Sequence, residues 1–308
     1  MKKQWLGIVL TVGLASCGLA QLNPQIHALP PFDNRTPKAV DGATDYIEYH
    51  GGPIFEVTPD IYIVYYGNWT NKDHSVIDSF FQYLGGTTMD KINTTYSDKN
   101  NKFEPNAVHY DPTTDSYDDH YSFGHSIDDA DIQKIIANAI SAGHLPNDTN
   151  GIYFVLTAKD VTDTDGFCAV FCGYHGPSTS IVSGEIIKYA MVGNPAQCPQ
   201  GCEASAVIGD KNSPNNDPGA DGAVSIMCAE FSESTSDPEV GLHTAWEGDI
   251  IGENGAYCAW QFGTLHLARN GSHYNEKFHG KEYIAQMMLK LLSKSRKGEV
   301  PGVCKNTF

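Results

Sequence analysis

Ala229, Glu230 and Glu233 stand where a zinc-peptidase helix carries its first ligand, its general base and its second ligand. Ligands four residues apart project from one helix face, and a glutamate directly after the first activates the metal-bound water. Alanine offers no donor, so this helix alone holds at most one ligand. The loop after it supplies Asp249 and Glu253 as further carboxylates, and His175 and His243 are the imidazoles available to fill in a set. Two carboxylates alone bind zinc poorly, because zinc sites want three or four ligands, mostly His or Cys. The spacing therefore predicts a vestigial base at Glu230, vestigial ligands at Glu233 and Glu253, and no cofactor. His175 and His243 read as surface or hydrogen-bonded histidines. The competing enzyme reading is a zinc metallopeptidase with an atypical set of Glu233, Glu253 and His175, and Glu230 as base.

Other chemistry is less well supported. There is no G-x-S-x-G elbow for a nucleophilic serine, and Gly51-Gly52-Pro53 lacks the spacing and the lysine of a phosphate-cradling loop. Glu230 and Glu233 as a glycosidase pair compete with the commoner reading of a solvated helix face. A carbohydrate-binding module is suggested by Tyr65, Tyr66 and Trp69, aromatics that serve equally well as core.

The elements that must position these residues follow from periodicity. Ile61–Tyr66, Ile152–Thr157 and Ile186–Val192 are β-branched and aromatic runs that predict buried strands. Val76, Ile77, Phe80, Phe81 and Leu84 recur at helical spacing before Gly85-Gly86. A second helix is expected from an N-cap at Ser126 through Ile140, with acidic residues in its first turn. Helices over Val224–Ser234 and Lys281–Ser295 follow, the first ended by Ser236-Asp237-Pro238. Together they predict one α/β (α+β) domain, residues 46–305, with a mixed sheet flanked by helices. A Pro-, Asn- and Thr-rich loose arm, residues 21–45, precedes it.

Residues 1–20 have a basic start, an apolar centre and small residues near Ala20, the pattern of a secretory signal peptide. A lipoprotein site at Cys17 is the rival. No other apolar run suits a membrane span. The net charge of −17 becomes −19 once Lys2 and Lys3 leave with the leader, 18 basic residues against 37 acidic. That balance repels nucleic acid. Sequons at Asn34, Asn68, Asn93, Asn147 and Asn270 favour a glycosylated secreted protein. The cysteines agree with an oxidising compartment. The CxxxC spacings predict Cys168–Cys172 and Cys198–Cys202, with Cys258–Cys304 as a staple and Cys228 a buried free thiol.

A series of landmarks then resembles a known family: YHGGP (Tyr49–Pro53), YYGNW (Tyr65–Trp69), FCAVFCGYHG (Phe167–Gly176), VGNPAQCPQGC (Val192–Cys202), SPNNDPGADGAVS (Ser213–Ser225) and a last cysteine at Cys304. From Tyr49 to Cys304 the chain is similar to the phosphate-induced protein 1, or EXORDIUM-like, family. The resemblance implies an extracellular protein of the apoplast or cell wall, linked to growth or environmental response. Its partner would be an extracellular protein or a wall polysaccharide. It also implies a zincin-like scaffold bearing a gluzincin-like motif of histidine, glutamate and second glutamate, then a loop with E-N/G-x-D-x-C. That motif falls on Ala229, Glu230, Glu233 and Glu253–Cys258. Ala229 and Ala256 replace the motif's histidine and loop aspartate, which points to a non-catalytic member.

Overall fold

The computed structural model describes residues 27–33, 44–248, 252–293 and 298–307. The leader with Cys17, the sequon Asn34 and the candidate ligand Asp249 lie outside the described residues.

A six-stranded sheet forms the core. Its strands in chain order are β1 (His27–Leu29), β2 (Asp60–Tyr66), β3 (Ser116–Asp119), β4 (Gly151–Thr157), β5 (Gly173–Ser178) and β6 (Ile187–Gly193). Their spatial order is β1-β5-β6-β4-β2-β3. β6, β4, β2 and β3 are parallel, whereas β5 runs antiparallel to β6, and β1 antiparallel to β5. β4 is buried along its whole length. A parallel strand covered on both faces needs such a continuous apolar run.

Helices cover both faces. On one face lie α1 (Asn71–Leu84) and α3 (Pro218–Ser236). Phe81 of α1 packs against Phe154 of β4 at 5.4 Å and against Phe231 of α3 at 5.7 Å between ring centroids. α1 starts in a capping box of Thr70 and Asp73. α2 (Asp129–Ser141) covers the other face, where Asp129 Oδ1 accepts hydrogen bonds from Tyr174 at 3.1 Å and Tyr189 at 2.6 Å. Its N-cap is Asp128; Ser126, the expected cap, pairs instead in a short strand with Thr162. A smaller antiparallel sheet is ordered Trp246–Glu247, Asp45–Tyr49, Val300–Lys305 and Met288–Leu291. Among the described residues no helix is long and apolar enough to cross a membrane.

The α/β class and the three buried-strand runs agree with the sequence; several finer expectations do not. The helix expected over Lys281–Ser295 is instead the strands Lys281–Tyr283 and Met288–Leu291. Residues 283–289 are all buried, so the segment has no solvent face, and a wholly buried apolar run carries no period that separates strand from helix. The arm is not loose throughout, since residues 27–33 contribute β1 to the core sheet.

The disulfides cross between the two CxxxC segments: Cys168–Cys198 and Cys172–Cys202, with Cα separations of 5.8 and 5.4 Å, replace the local pairs Cys168–Cys172 and Cys198–Cys202. Cys198 caps the short helix Pro199–Cys202 and Cys202 ends it. Their four-residue spacing puts both thiols on one side, facing the 168–172 turn and not each other. Cys258–Cys304 is present, and Cys228 is a buried free thiol.

Tyr65 and Tyr66 are fully buried and Trp69 nearly so, which removes the exposed aromatic platform that a sugar would need. The Asn93 sequon is also buried, 1% exposed, with its Oδ1 accepting from Ser232, so no glycan fits there in the folded chain. At Asn270 the amide Nδ2 donates to Ser213 O and Asn216 Oδ1, whereas Asn68 and Asn147 stand exposed.

Candidate metal centre

The site forms where α3 crosses β5. Alternation along β5 sends Tyr174 and Ser178 toward α2, whose Asp129 and Gln133 accept their hydroxyls. Gly173 and His175 therefore face α3. α3 is buried over Gly219–Ser236, a helix wrapped by protein on all sides. It begins with Asp217 as N-cap and Pro218 in its first turn, and stops before Asp237-Pro238.

Ile226, Glu230 and Glu233 form one stripe of α3 that faces β5. A Cβ added at Gly173 would lie 2.6 Å from Ile226 Cγ2 and 3.1 Å from Glu230 Oε1. The glycine thus lets the strand backbone settle directly on the helix. Two residues along, His175 Nε2 lies 3.8 Å from Glu233 Oε2. The third member, Glu253, is the N-cap of the short helix Asn254–Tyr257, and its Oε2 is 2.9 Å from His175 Nε2. The ligand atoms of His175, Glu233 and Glu253 all lie within 4.8 Å of one another.

The surroundings fix these side chains. Asn254 Nδ2 donates to Ser236 Oγ at 2.8 Å and to Ser232 O at 3.2 Å, which ties the Glu253 loop to the end of α3. Gln286 Nε2 holds Gly255 O at 3.0 Å. A Cβ on Gly255 would lie 2.7 Å from Glu233 Oε1, so a side chain here would push the carboxylate out of its place. Nearby, burial above all, and then the Glu104 carboxylate, pushes the Tyr96 phenol well up. Its hydroxyl donates to Leu289 O.

Chemically this is one imidazole and two carboxylates in a dry interior: the side chains are 1%, 0% and 0% exposed. Burying carboxylates is costly unless opposite charge compensates them, and a divalent cation does so directly. Two donors ~2.1 Å from one tetrahedral ion sit about 3.4 Å apart. The observed cluster needs only small side-chain movements to reach that spacing. Imidazole with carboxylates suits zinc and its neighbours in the transition series.

The structure thus brings together Glu233, Glu253 and His175, with Glu230 on the same stripe. His175 is not a surface residue. His243 is: its side chain is 58% exposed and pairs with Glu239 at 2.6 Å. Ala229 is buried in the main hydrophobic core. Of the two alternatives expected for His175, surface or hydrogen-bonded, the second holds, through Glu253; its strand reads GYHGPS, whose Gly and Pro lower β propensity and hide its place in the core. The usable signal is its place three residues past Cys172, the second cysteine of its CxxxC, on a segment that Cys172–Cys202 anchors.

Comparison with known proteins agrees with the landmarks. A family model described as Phosphate-induced protein 1 conserved region matches residues 47–291. Protein EXORDIUM-like 5 of Arabidopsis thaliana is 29% identical over 261 residues, covering 77% of this chain and 69% of the relative. Protein EXORDIUM-like 3 of the same plant is 28% identical over 70% of this chain and 71% of its own length. Protein PHOSPHATE-INDUCED 1 of Nicotiana tabacum is 26% identical over 69% and 71%. No solved structure matches. With the family model matching most of the chain, His175, Glu230, Glu233 and Glu253 included, the chain belongs to the phosphate-induced protein 1 (EXORDIUM-like) family.

Proposed function

We propose that this chain is a secreted, extracellular family member that acts by binding, at a cell wall or matrix, around a closed site for a zinc-class divalent cation. A role in growth or environmental response goes with that reading. The convergence of His175, Glu233 and Glu253 carries it. It replaces the expectation of no cofactor, because His175 adds the nitrogen donor that the helix lacks at Ala229. Structural metal sites are closed by protein, whereas catalytic ones keep a position open to substrate. Full burial of all three donors favours the structural role. The three disulfides and the leader-like N-terminus support secretion.

The direct test is elemental analysis of the full-length protein purified without chelator, paired with thermal melts. One equivalent of a divalent transition ion is expected, and its removal should lower the melting temperature. Metal-free protein whose melting ignores added zinc, manganese and iron(II) would refute the site.

A second reading is a metallopeptidase on a zincin-like scaffold, favoured by Glu230 lying beside the cluster on the same helix stripe. It expects chelator-sensitive cleavage of a peptide library that Glu230→Gln abolishes. No cleavage by metal-loaded protein rules it out.

A further inference from the structure

One residue of β6 stands apart from its neighbours. Six of the seven residues of this strand are buried, and the seventh, Lys188, is half-buried. Alternation along the strand sends Tyr189 to Asp129 of α2, so Lys188 belongs to the opposite face, the one that α3 covers. There it lines a cavity of about 330 Å³ between the Pro53–Val57 segment and Pro238-Glu239, just past the end of α3. Its Nζ donates to Thr149 O at 2.7 Å and lies 5.8 Å from the centre of the Phe55 ring. An ammonium carries three N–H donors, and these two contacts leave one for a further acceptor. Among the described residues no carboxylate pairs with it. The two glutamates that line the same cavity have partners of their own: Glu56 Oε2 meets Lys102 at 2.7 Å, and Glu239 Oε2 meets His243 at 2.6 Å. Burial lowers the Lys188 amine against the opposing pull of Glu239 and Asp148, so its charged form is short of compensation.

We propose that this cavity binds a small monocarboxylate with an apolar body, its carboxylate seated on Lys188. The volume lies at the lower end of the ~300–1,000 Å³ of small-molecule sites, which admits a single ring. Pro53, Phe55 and Pro238 supply the apolar wall, and Lys188 supplies the one orienting charge. A carboxylate accepting the third N–H makes a charge-assisted hydrogen bond, the stronger kind, and offsets the cost of the half-buried ammonium. Glu56 and Glu239 border the same space and repel a second negative charge, which disfavours dicarboxylates and phosphates. None of His175, Glu233 and Glu253 lines the cavity, so the site is separate from the cation centre.

The test titrates full-length protein with benzoate, benzamide and benzene-1,3-dicarboxylate, followed by amide NMR shifts. Benzoate should bind with a Kd of about 1 mM, and the neutral amide and the dianion at least about tenfold more weakly. Lys188→Met keeps the apolar stem and removes the charge, so it should weaken benzoate at least about tenfold and leave benzamide unchanged. Equal benzoate binding by variant and wild type overturns the proposal. Wild type alone gives a readout that does not depend on the variant folding. Benzoate should shift the amides of Phe55, Asn150 and Lys188, raise the pKa of the Lys188 amine, and bind less tightly as pH rises through that pKa. Shifts confined to other residues, or none at about 20 mM benzoate, also overturn it. A carboxylate can ligate a metal as well, so the titration is repeated after chelator treatment. Unchanged binding supports the Lys188 cavity, and binding lost with the metal refutes it while leaving the cation centre standing.

Discussion

The imidazole of His175 and the carboxylate of Glu253, 78 residues apart in the chain, meet at 2.9 Å where neither is open to solvent. The contact joins a core strand to a loop that no secondary-structure pairing brings there. Glu233 faces the same nitrogen from α3. Three separate segments therefore deliver one donor each, and losing any one leaves the other two facing each other in the interior.

Replacing His175 by Gln should cost about 3–5 kcal/mol, the usual penalty for removing one partner from a buried charged pair. Urea unfolding checks this. The cation account adds a second expectation: a chelator lowers the wild-type midpoint but leaves the variant's unchanged.

Gly255→Ala should act through Glu233 without touching a donor. The new methyl would stand 2.7 Å from Glu233 Oε1, inside any real contact distance. Overpacking of this kind costs about 1–3 kcal/mol. Metal affinity should fall with stability, as read by titration of the chelated protein with zinc. Gly86→Ala, where φ is +81° and the added Cβ meets nothing within 4 Å, should lower stability through backbone strain yet leave metal affinity alone.

Away from the site, Glu276 should make stability depend on pH. Burial pushes its carboxyl up from 4.5 to about 8, and its Oε1 accepts no hydrogen bond from the described residues. The folded state therefore holds a proton that the unfolded chain releases near pH 4.5. That stabilisation is complete below the unfolded value and is lost as pH rises through about 8, at up to ~1.4 kcal/mol per pH unit. Burial raises Asp90 and Asp163 to about 7, with the same sign. Denaturant midpoints at several pH values should fall less steeply for Glu276→Gln than for wild type. A steeper fall in the variant would contradict the assignment.

Digestion without reduction should yield peptides joining Cys168 to Cys198 and Cys172 to Cys202. Cys228 should resist alkylation until the protein unfolds, since burial above all pushes its thiol well up, and the thiolate is the reactive form. Locally bridged CxxxC peptides would show the pairing to be wrong.

Legibility followed the source of each signal. β2 and β4 were plain because a strand covered on both faces must be a continuous apolar run, and Asp60–Tyr66 and Gly151–Thr157 are such runs. α3 was legible from its motif spacing and Asp237-Pro238, although it extends further at both ends than its apolar residues suggested. Glu230, Glu233 and Glu253 could be named from that helix and its loop. The place of His175 could not be read, because β5 is made of residues that resist strand formation and is held by pairing with β6 and by Cys172–Cys202. Tertiary contact sets that strand, and local sequence is silent on it. The CxxxC pairs misled for a related reason: short spacing speaks of neighbours in the chain, and these thiols face across to another segment.

Anomalous diffraction at a transition-metal edge, from crystals grown with equimolar zinc, tests the central claim most directly. The account predicts a single strong peak bonded to His175 Nε2 and to carboxylate oxygens of Glu233 and Glu253. An empty map there, with His175 still hydrogen-bonded to Glu253, would show that the cluster is a buried polar pair with a neighbour and not a metal centre.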